Sequence, residues 1–212
     1  MEDFYTINEK ASAEITEKKS KFIANLFYVE SQKQAEEIIK DTKKEYHDAR
    51  HNCVAYRIID SESIIEKQSD DGEPSGTAGS PMLEILKGEK LCNILVIVTR
   101  YFGGILLGTG GLSRAYSEAT IQAIKNAKKV CKCNGYLAQI ELNYKTLDNF
   151  KYYCRNNNIN IVNTEFSDVV ICKIELDNNK KEKLMNDIDT KNINVANLKI
   201  LCKKIINKSV EK

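Results

Sequence analysis

Of the ten glycines in this chain, all but Gly135 fall between Glu66 and Gly111, and both prolines, Pro74 and Pro81, fall there too. Glycine is required where the backbone takes positive φ or approaches another group closely, and proline where φ is fixed without an amide donor. The stretch is therefore irregular backbone of specified shape. Inside it runs one continuous apolar segment, residues 94–98 (ILVIV), which predicts a strand covered on both faces. The shaped loops flank that strand and make the candidate working surface.

The flanking sequence supplies the rest of a first domain. Residues 1–19 read as a loose start, and 20–29 (SKFIANLFYV), rich in aromatic and β-branched side chains, predict a strand. Ser31 and Gln34 fit a capping box ahead of Ala35, Ile38, Ile39 and Tyr46, predicting a helix over 31–46. Residues 52–59 and 63–68 predict a hairpin joined at 60–62. Ser80 as N-cap and Pro81 as first helical residue predict a short helix that stops at Gly88. Residues 108–111 read as a second glycine loop leading into a helix with Leu112, Ala115, Tyr116, Ala119, Ala123 and Ile124 on one face.

Past a linker at 130–134, with Gly135 as its hinge, the pattern changes. Tyr136, Ala138, Ile140, Leu142 and Tyr144 alternate as a strand; Leu147, Phe150 and Cys154 mark a helix; residues 159–166 and 169–176 make a hairpin. A helix with Leu184, Met185 and Ile188 and a strand over 195–206 follow. The order βαββαβ is ferredoxin-like. The chain thus reads as α+β, with domains at 1–130 and 135–206.

Composition narrows the function classes. No run approaches the ~18 apolar residues of a membrane helix, and the acidic start MEDFYTINEK lacks the basic and apolar regions of a secretory signal, so a cytoplasmic protein is expected. The seven cysteines are scattered; Cys53, Cys92, Cys172 and Cys202 lie in strand-like runs and are expected to be buried, reduced thiols. The net charge of +2 gives no general affinity for polyanions, although residues 131–212, with 14 Lys and Arg against 10 Asp and Glu, are mildly basic.

Three groups of residues could carry chemistry. Asp70, Asp71 and Glu73 are oxygen donors in one loop, suited to Mg²⁺ or acid/base work, but Asp-Gly-Glu-Pro is also turn chemistry, which the sequence favours; no metal site or cofactor is expected. His47, His51 and Cys53 have a spacing that could bind zinc on a continuous helix, yet the expected helix ends before His51. Ser75, Thr77 and Ser80 find no histidine at a recommending spacing, so no catalytic residue is assigned. Arg100, Tyr101, Gly103 and Gly104 follow the central strand, and Gly108, Thr109, Gly110, Gly111 and Arg114 open a helix. Free amides at a helix N-terminus suit a phosphate or carboxylate; the same glycines could equally serve tight packing.

Three segments, HNCVAYRI (51–58), SDDGEPSGTAGSPML (69–83) and VTRYFGGILLGTGGLSRAYSEA (98–119), resemble the signature of the IMPACT family. The resemblance implies a first domain with the fold of the second domain of a small-subunit ribosomal protein, shared with domain IV of elongation factor G, and a ferredoxin-like second domain similar to domain V of that factor. It implies translation regulation, as in the family's eukaryotic members, with RNA, the ribosome or translation factors as partners. By motif it marks His51, Gly72, Pro74, Gly76 and Thr77 alongside the acidic, glycine and arginine positions named above. The expected activity is binding of nucleic acid or translation factors. The alternative is an enzyme acting on a phosphorylated or carboxylated small molecule, with the Asp70/Asp71/Glu73 loop facing the helix start at residues 108–111.

Overall fold

The computed structural model describes residues 3–60 and 63–208 of the 212. They divide into two compact units, residues 4–130 and residues 131–208 with Asp3. The first contains β1 (Phe4–Ile7), β2 (Ala11–Glu17), β3 (Ser20–Tyr28), α1 (Gln32–Glu45), β4 (His51–Asp60), β5 (Ser63–Ser69), α2 (Gly79–Gly88), β6 (Ile94–Tyr101) and α3 (Gly108–Asn126). Strands β2 to β6 form one antiparallel sheet in the order β2-β3-β6-β4-β5. The last strand in sequence is therefore the middle one in space.

The sequence of β6 explains its place. Ile94, Val96 and Val98 pack with Met82 and Leu86 of α2 and with Leu112 and Tyr116 of α3, while Leu95 and Ile97 pack with Val29 and Ala35 on the α1 side. Only a strand apolar at every position can be buried on both faces, and each such side chain contributes about 1.5–3 kcal/mol on burial. On the far face, α1 begins as its capping residues predict: the Ser31 hydroxyl accepts from Gln34 N at 3.2 Å, and Gln34 Oε1 accepts from Glu30 N at 2.8 Å.

Two starts differ from expectation. Residues 4–7 and 11–17, read as loose, are β1 and β2; Ala11, Ala13 and Ile15 alternate against the core, a signal made faint by two small side chains. Helix α3 begins at Gly108, so residues 108–111 are its first turn and not a loop before it. The tip of the β4–β5 hairpin, Ser61 and Glu62, lies outside the described residues.

The second unit contains β7 (Lys129–Leu142), α4 (Leu147–Asn156), β8 (Asn160–Phe166), β9 (Val170–Asp177), α5 (Asn178–Asp189) and β10 (Asn197–Asn207). Tyr144, expected at the end of the first strand, sits instead in a single 3-10 turn. These four strands pair antiparallel in the order β10-β7-β9-β8, over a core of Ile140, Leu142, Phe150, Cys172, Ile174 and Leu184. This is the ferredoxin-like arrangement.

Residues 130–135, expected as a linker, lie within β7, and Gly135 is no hinge: it pairs with Asp177 and Lys204. A Cβ there would stand 2.6 Å from the Leu176 carbonyl and 2.5 Å from the Ile206 side chain, so glycine serves close approach. The seven cysteines are all free, but Cys202 is exposed. The cause is a bulge between Ile200 and Cys202, which carries the register from Ala138 to Leu137 and so moves Cys202 off the core face. Cys53 differs: burial first, opposed by the nearby Tyr116 hydroxyl and helped by the Glu73, Asp71 and Asp70 charges, pushes its thiol up to about 12. Cys202 is expected to react with a maleimide at neutral pH at least about tenfold faster than Cys53. Mass mapping of the first labelled peptide checks this; modification of Cys53 first would refute it.

Candidate functional site

The loop between β5 and α2 is fixed by two adjacent carboxylates. Asp70 Oδ1 accepts from Ala78 N at 3.0 Å and Gly79 N at 2.8 Å, and its Oδ2 accepts from Gly76 N at 2.8 Å. It thereby caps α2, which has no side-chain cap of its own at Ala78. Ser80, expected as that cap, lies inside the helix. Asp71 takes the amide of Asn52 on Oδ2 at 2.7 Å and the Lys43 ammonium on Oδ1 at 2.5 Å. Both carboxylates are thus engaged by donors of the fold. Among the described residues no group of three or more His, Cys, Asp or Glu could hold a metal ion.

Glu73 points inward. Its Oε1 accepts from Arg100 Nη1 at 2.6 Å and from the Tyr116 hydroxyl at 2.9 Å, and His51 Nε2 stands 3.9 Å away. The side chains of Arg100 and Glu73 are only 7% and 3% exposed. Arg100 lies on β6 opposite Phe22 of β3 and His51 of β4, so strands on both sides enclose it. Its guanidinium carbon stands 5.4 Å from the Phe22 ring centre and 5.6 Å from that of Phe102. Nη2 reaches the Ser20 hydroxyl at 3.4 Å, and Nε has no partner among the described residues. The sheet is antiparallel and β6 is flanked throughout, so Arg100 is not at an open strand edge; it pins the loop to the sheet.

His51 Nδ1 lies 2.8 Å from the Asp71 carbonyl and must donate to it, which leaves Nε2 on the Glu73 side. Tyr116 is held far above the usual phenol range by burial first and then by Cys53 and Glu73. Tyr116 therefore acts as a fixed donor.

The remaining expected residues are placed as follows. Gly103 N donates to Ser20 Oγ at 3.2 Å, and a Cβ on Gly103 would fall 2.0 Å from the Lys19 carbonyl, so the chain passes the β2–β3 turn only as glycine. Tyr101 donates to Asp48 at 2.8 Å. Thr77 is buried and donates to the Pro74 carbonyl at 2.7 Å. Gly72, Gly76 and Gly104 shape the turns, and His47 is exposed and apart from His51's contacts. Arg114 is exposed and lies close to the first turn of α3, 3.7 Å from where a Gly110 Cβ would be.

A cavity of about 400 Å³ connects these parts. Arg50, His51, Glu73 and Arg100 line it on one side, Gly108 and Thr109 of α3 on another, and Pro74, Phe102, Leu106, Leu107 and Leu112 supply apolar wall. The acidic loop and the helix start do converge, but through Glu73; Asp70 and Asp71 are not among the lining residues. Arg50, Phe102, Leu106 and Leu107 were not marked as site residues in the sequence, and Leu112 was read only as part of an apolar helix face. Their clue was adjacency: Arg50 precedes His51, and Phe102 lies between the marked Tyr101 and Gly103.

A shaped, glycine-dependent loop held over an antiparallel sheet by a buried Arg–Glu pair, joined in one chain to a ferredoxin-like unit, defines an α+β protein of two domains. Residues 18–124 match the family model for the Impact N-terminal domain, and residues 140–191 match a domain of unknown function, DUF1949. The chain belongs to the IMPACT family. It is 45% identical to the IMPACT family member YvyE of Bacillus subtilis (strain 168) over 126 residues, 59% of this chain and 58% of that one. It is 36% identical to the IMPACT family member YigZ of Escherichia coli (strain K12) over 164 residues, 75% and 78% of the two chains. A solved structure described as a hypothetical protein aligns over 95% of this chain and 97% of its own, with 30% identity and a TM-score of 0.62.

Proposed function

We propose that this protein is a cytoplasmic binding factor of the translation apparatus, which docks on the ribosome through the surface around the start of α3. Membership of a family whose eukaryotic members resemble translation regulators supports the class of function. No helix among the described residues is long and apolar enough to cross a membrane. The observation that carries the reading is the segment after β6. Phe102, Ile105 and Leu106 stand exposed there, Leu106 by 82%; the exposed Arg50 lines one cavity with Phe102 and Leu106, and Arg114 is exposed on the first turns of α3. Apolar side chains held in water beside arginines match a surface that packs on a partner while contacting phosphates. The open face of the ferredoxin-like sheet is a weaker candidate for RNA: Lys173 and Lys204 there are paired with Glu165 and Glu175.

Co-sedimentation with ribosomes at low salt tests the proposal, with binding expected to weaken steeply as salt rises. The double variant Ile105→Asp, Arg114→Glu is expected to lose co-sedimentation by about tenfold or more while melting normally, since both side chains are at the surface. No co-sedimentation of the unaltered protein at low salt, or unchanged binding by the variant, would overturn it.

A further inference from the structure

We infer that the turn between β2 and β3 is the phosphate-binding arm of the docking surface proposed above, and that the partner it meets is single-stranded RNA. The inference rests on that surface and names what covers it.

The turn is built from residues that fit it badly. Glu17 pairs with Ser20, which leaves Lys18 and Lys19 as a two-residue hairpin loop, with φ of +43° and +65°. A loop left-handed at both positions favours Asn-Gly, because a Cβ is strained there. Among the described residues no other two adjacent non-glycine positions are held this way. Strain of this kind persists where the side chains serve a contact outside the fold. The turn is also fixed in place: Gly103 N donates to Ser20 Oγ at 3.2 Å, and a Cβ on Gly103 would fall 2.0 Å from the Lys19 carbonyl. Both lysines are exposed and are thereby held beside Phe102, at the start of the exposed apolar segment.

Charge decides the class of partner. Lys18, Lys19, Arg50 and Arg114 are all exposed, and none forms an ion pair among the described residues, whereas Lys21, Lys43 and Lys44 are paired with Glu14, Asp71 and Asp41. The carboxylates nearest them in sequence leave them unpaired: Asp48 accepts from the Tyr101 hydroxyl, Glu118 from Gln122, and Glu17 holds no cation. Arg100 and Glu73 neutralise each other. Cations without counter-ions around exposed apolar side chains match a polyanion that also carries planar faces, and RNA supplies both. Phe102 is 41% exposed, with the Arg100 guanidinium 5.6 Å from its ring centre to hold it in place. Only an unpaired base can stack on such a ring, so the strand is single. An acidic protein segment would satisfy the cations and leave Phe102 unused.

Fluorescence anisotropy of the full chain with a mixed-sequence single-stranded RNA about 12 nucleotides long tests this. Binding is expected at low salt, about tenfold or more tighter than binding of polyglutamate of equal charge. Lys18→Asn with Lys19→Gly gives the turn the residues it prefers. That variant is expected to melt about 2 °C or more higher, yet to bind the RNA about tenfold more weakly, with the slope of log affinity against log salt smaller by about 1.4. Weaker binding by a more stable protein cannot come from misfolding. Lys33→Gln with Lys40→Gln removes the same charge from exposed positions on α1 and is expected to bind within about twofold of the unaltered protein. Undiminished binding or a lower melting temperature in the turn variant, an equal loss in the α1 variant, or polyglutamate binding as tight as RNA would each overturn the inference. Ribosome co-sedimentation by a protein that does not bind this RNA would overturn it and leave the docking reading standing; RNA binding without ribosome association would do the reverse.

Discussion

Replacing Arg100 by alanine is expected to lower folding stability by roughly 3–5 kcal/mol, with a fall in Tm on the order of 10 °C. The cause is the group left behind. Glu73 is 3% exposed and would keep only the Tyr116 hydroxyl at 2.9 Å and the more distant His51 ring as partners for a buried carboxylate. Arg100→Lys is expected to recover only part of the loss, because one ammonium cannot reach Glu73 and Ser20 while lying between the Phe22 and Phe102 rings as a planar guanidinium does. A paired change, Arg100→Met with Glu73→Leu, should be much less destabilised than the two single losses together, since no buried charge then lacks its counterpart. Chemical denaturation of the four proteins gives the comparison. If Arg100→Ala melts normally, the pair does not hold the loop.

Asp70→Ala is expected to cost about 2–3 kcal/mol, the second largest effect foreseen. One side chain serves three backbone donors, at Gly76, Ala78 and Gly79, and none has another acceptor built into the loop. Burial raises the Asp70 pKa, but the bonds from Gly76, Gly79 and Ala78 outweigh it, and the carboxyl lies below its ordinary 3.8 in the folded protein. A group depressed on folding adds stability that is complete above its unfolded pKa and disappears as pH falls through the folded one. Wild type should therefore lose stability below about pH 4, and the Asp70→Ala curve should be flatter across that window. Parallel acid titrations of the two proteins, followed by urea midpoints, measure the difference. Equal slopes would remove Asp70 from the account.

The central strand and both helices of its layer were legible because burial on two faces leaves a continuous apolar run, and one-sided burial leaves a 3.6 period. The glycines were legible as special but not as to use. Gly135 suggested a hinge, whereas it is a close contact inside β7, and glycine in sequence does not distinguish the two. Residues 108–111 looked like a loop because glycine is a poor helix former, yet they form the first turn of α3. The environment of Arg100 was the least legible part: its partners lie 27 and 80 positions away in sequence, at Glu73 and Ser20, and strand pairing alone brings them together. Tyr116, at the third corner, carried only the signature of an apolar helix face.

The cap that Asp70 lends to α2 also bears on the order in which the chain assembles. A ten-residue helix is marginal by itself in water, and α2 has its N-terminal amides satisfied from eight and nine residues upstream rather than by its neighbour. Its nucleation therefore waits on closure of the loop that follows β5, which turns a local element into a late one. A peptide of residues 79–91 should be largely unstructured, while one beginning at Asp70 should show measurably more helix, and mutations at Asp70 should slow the folding step in which α2 docks rather than the formation of the β4–β5 hairpin.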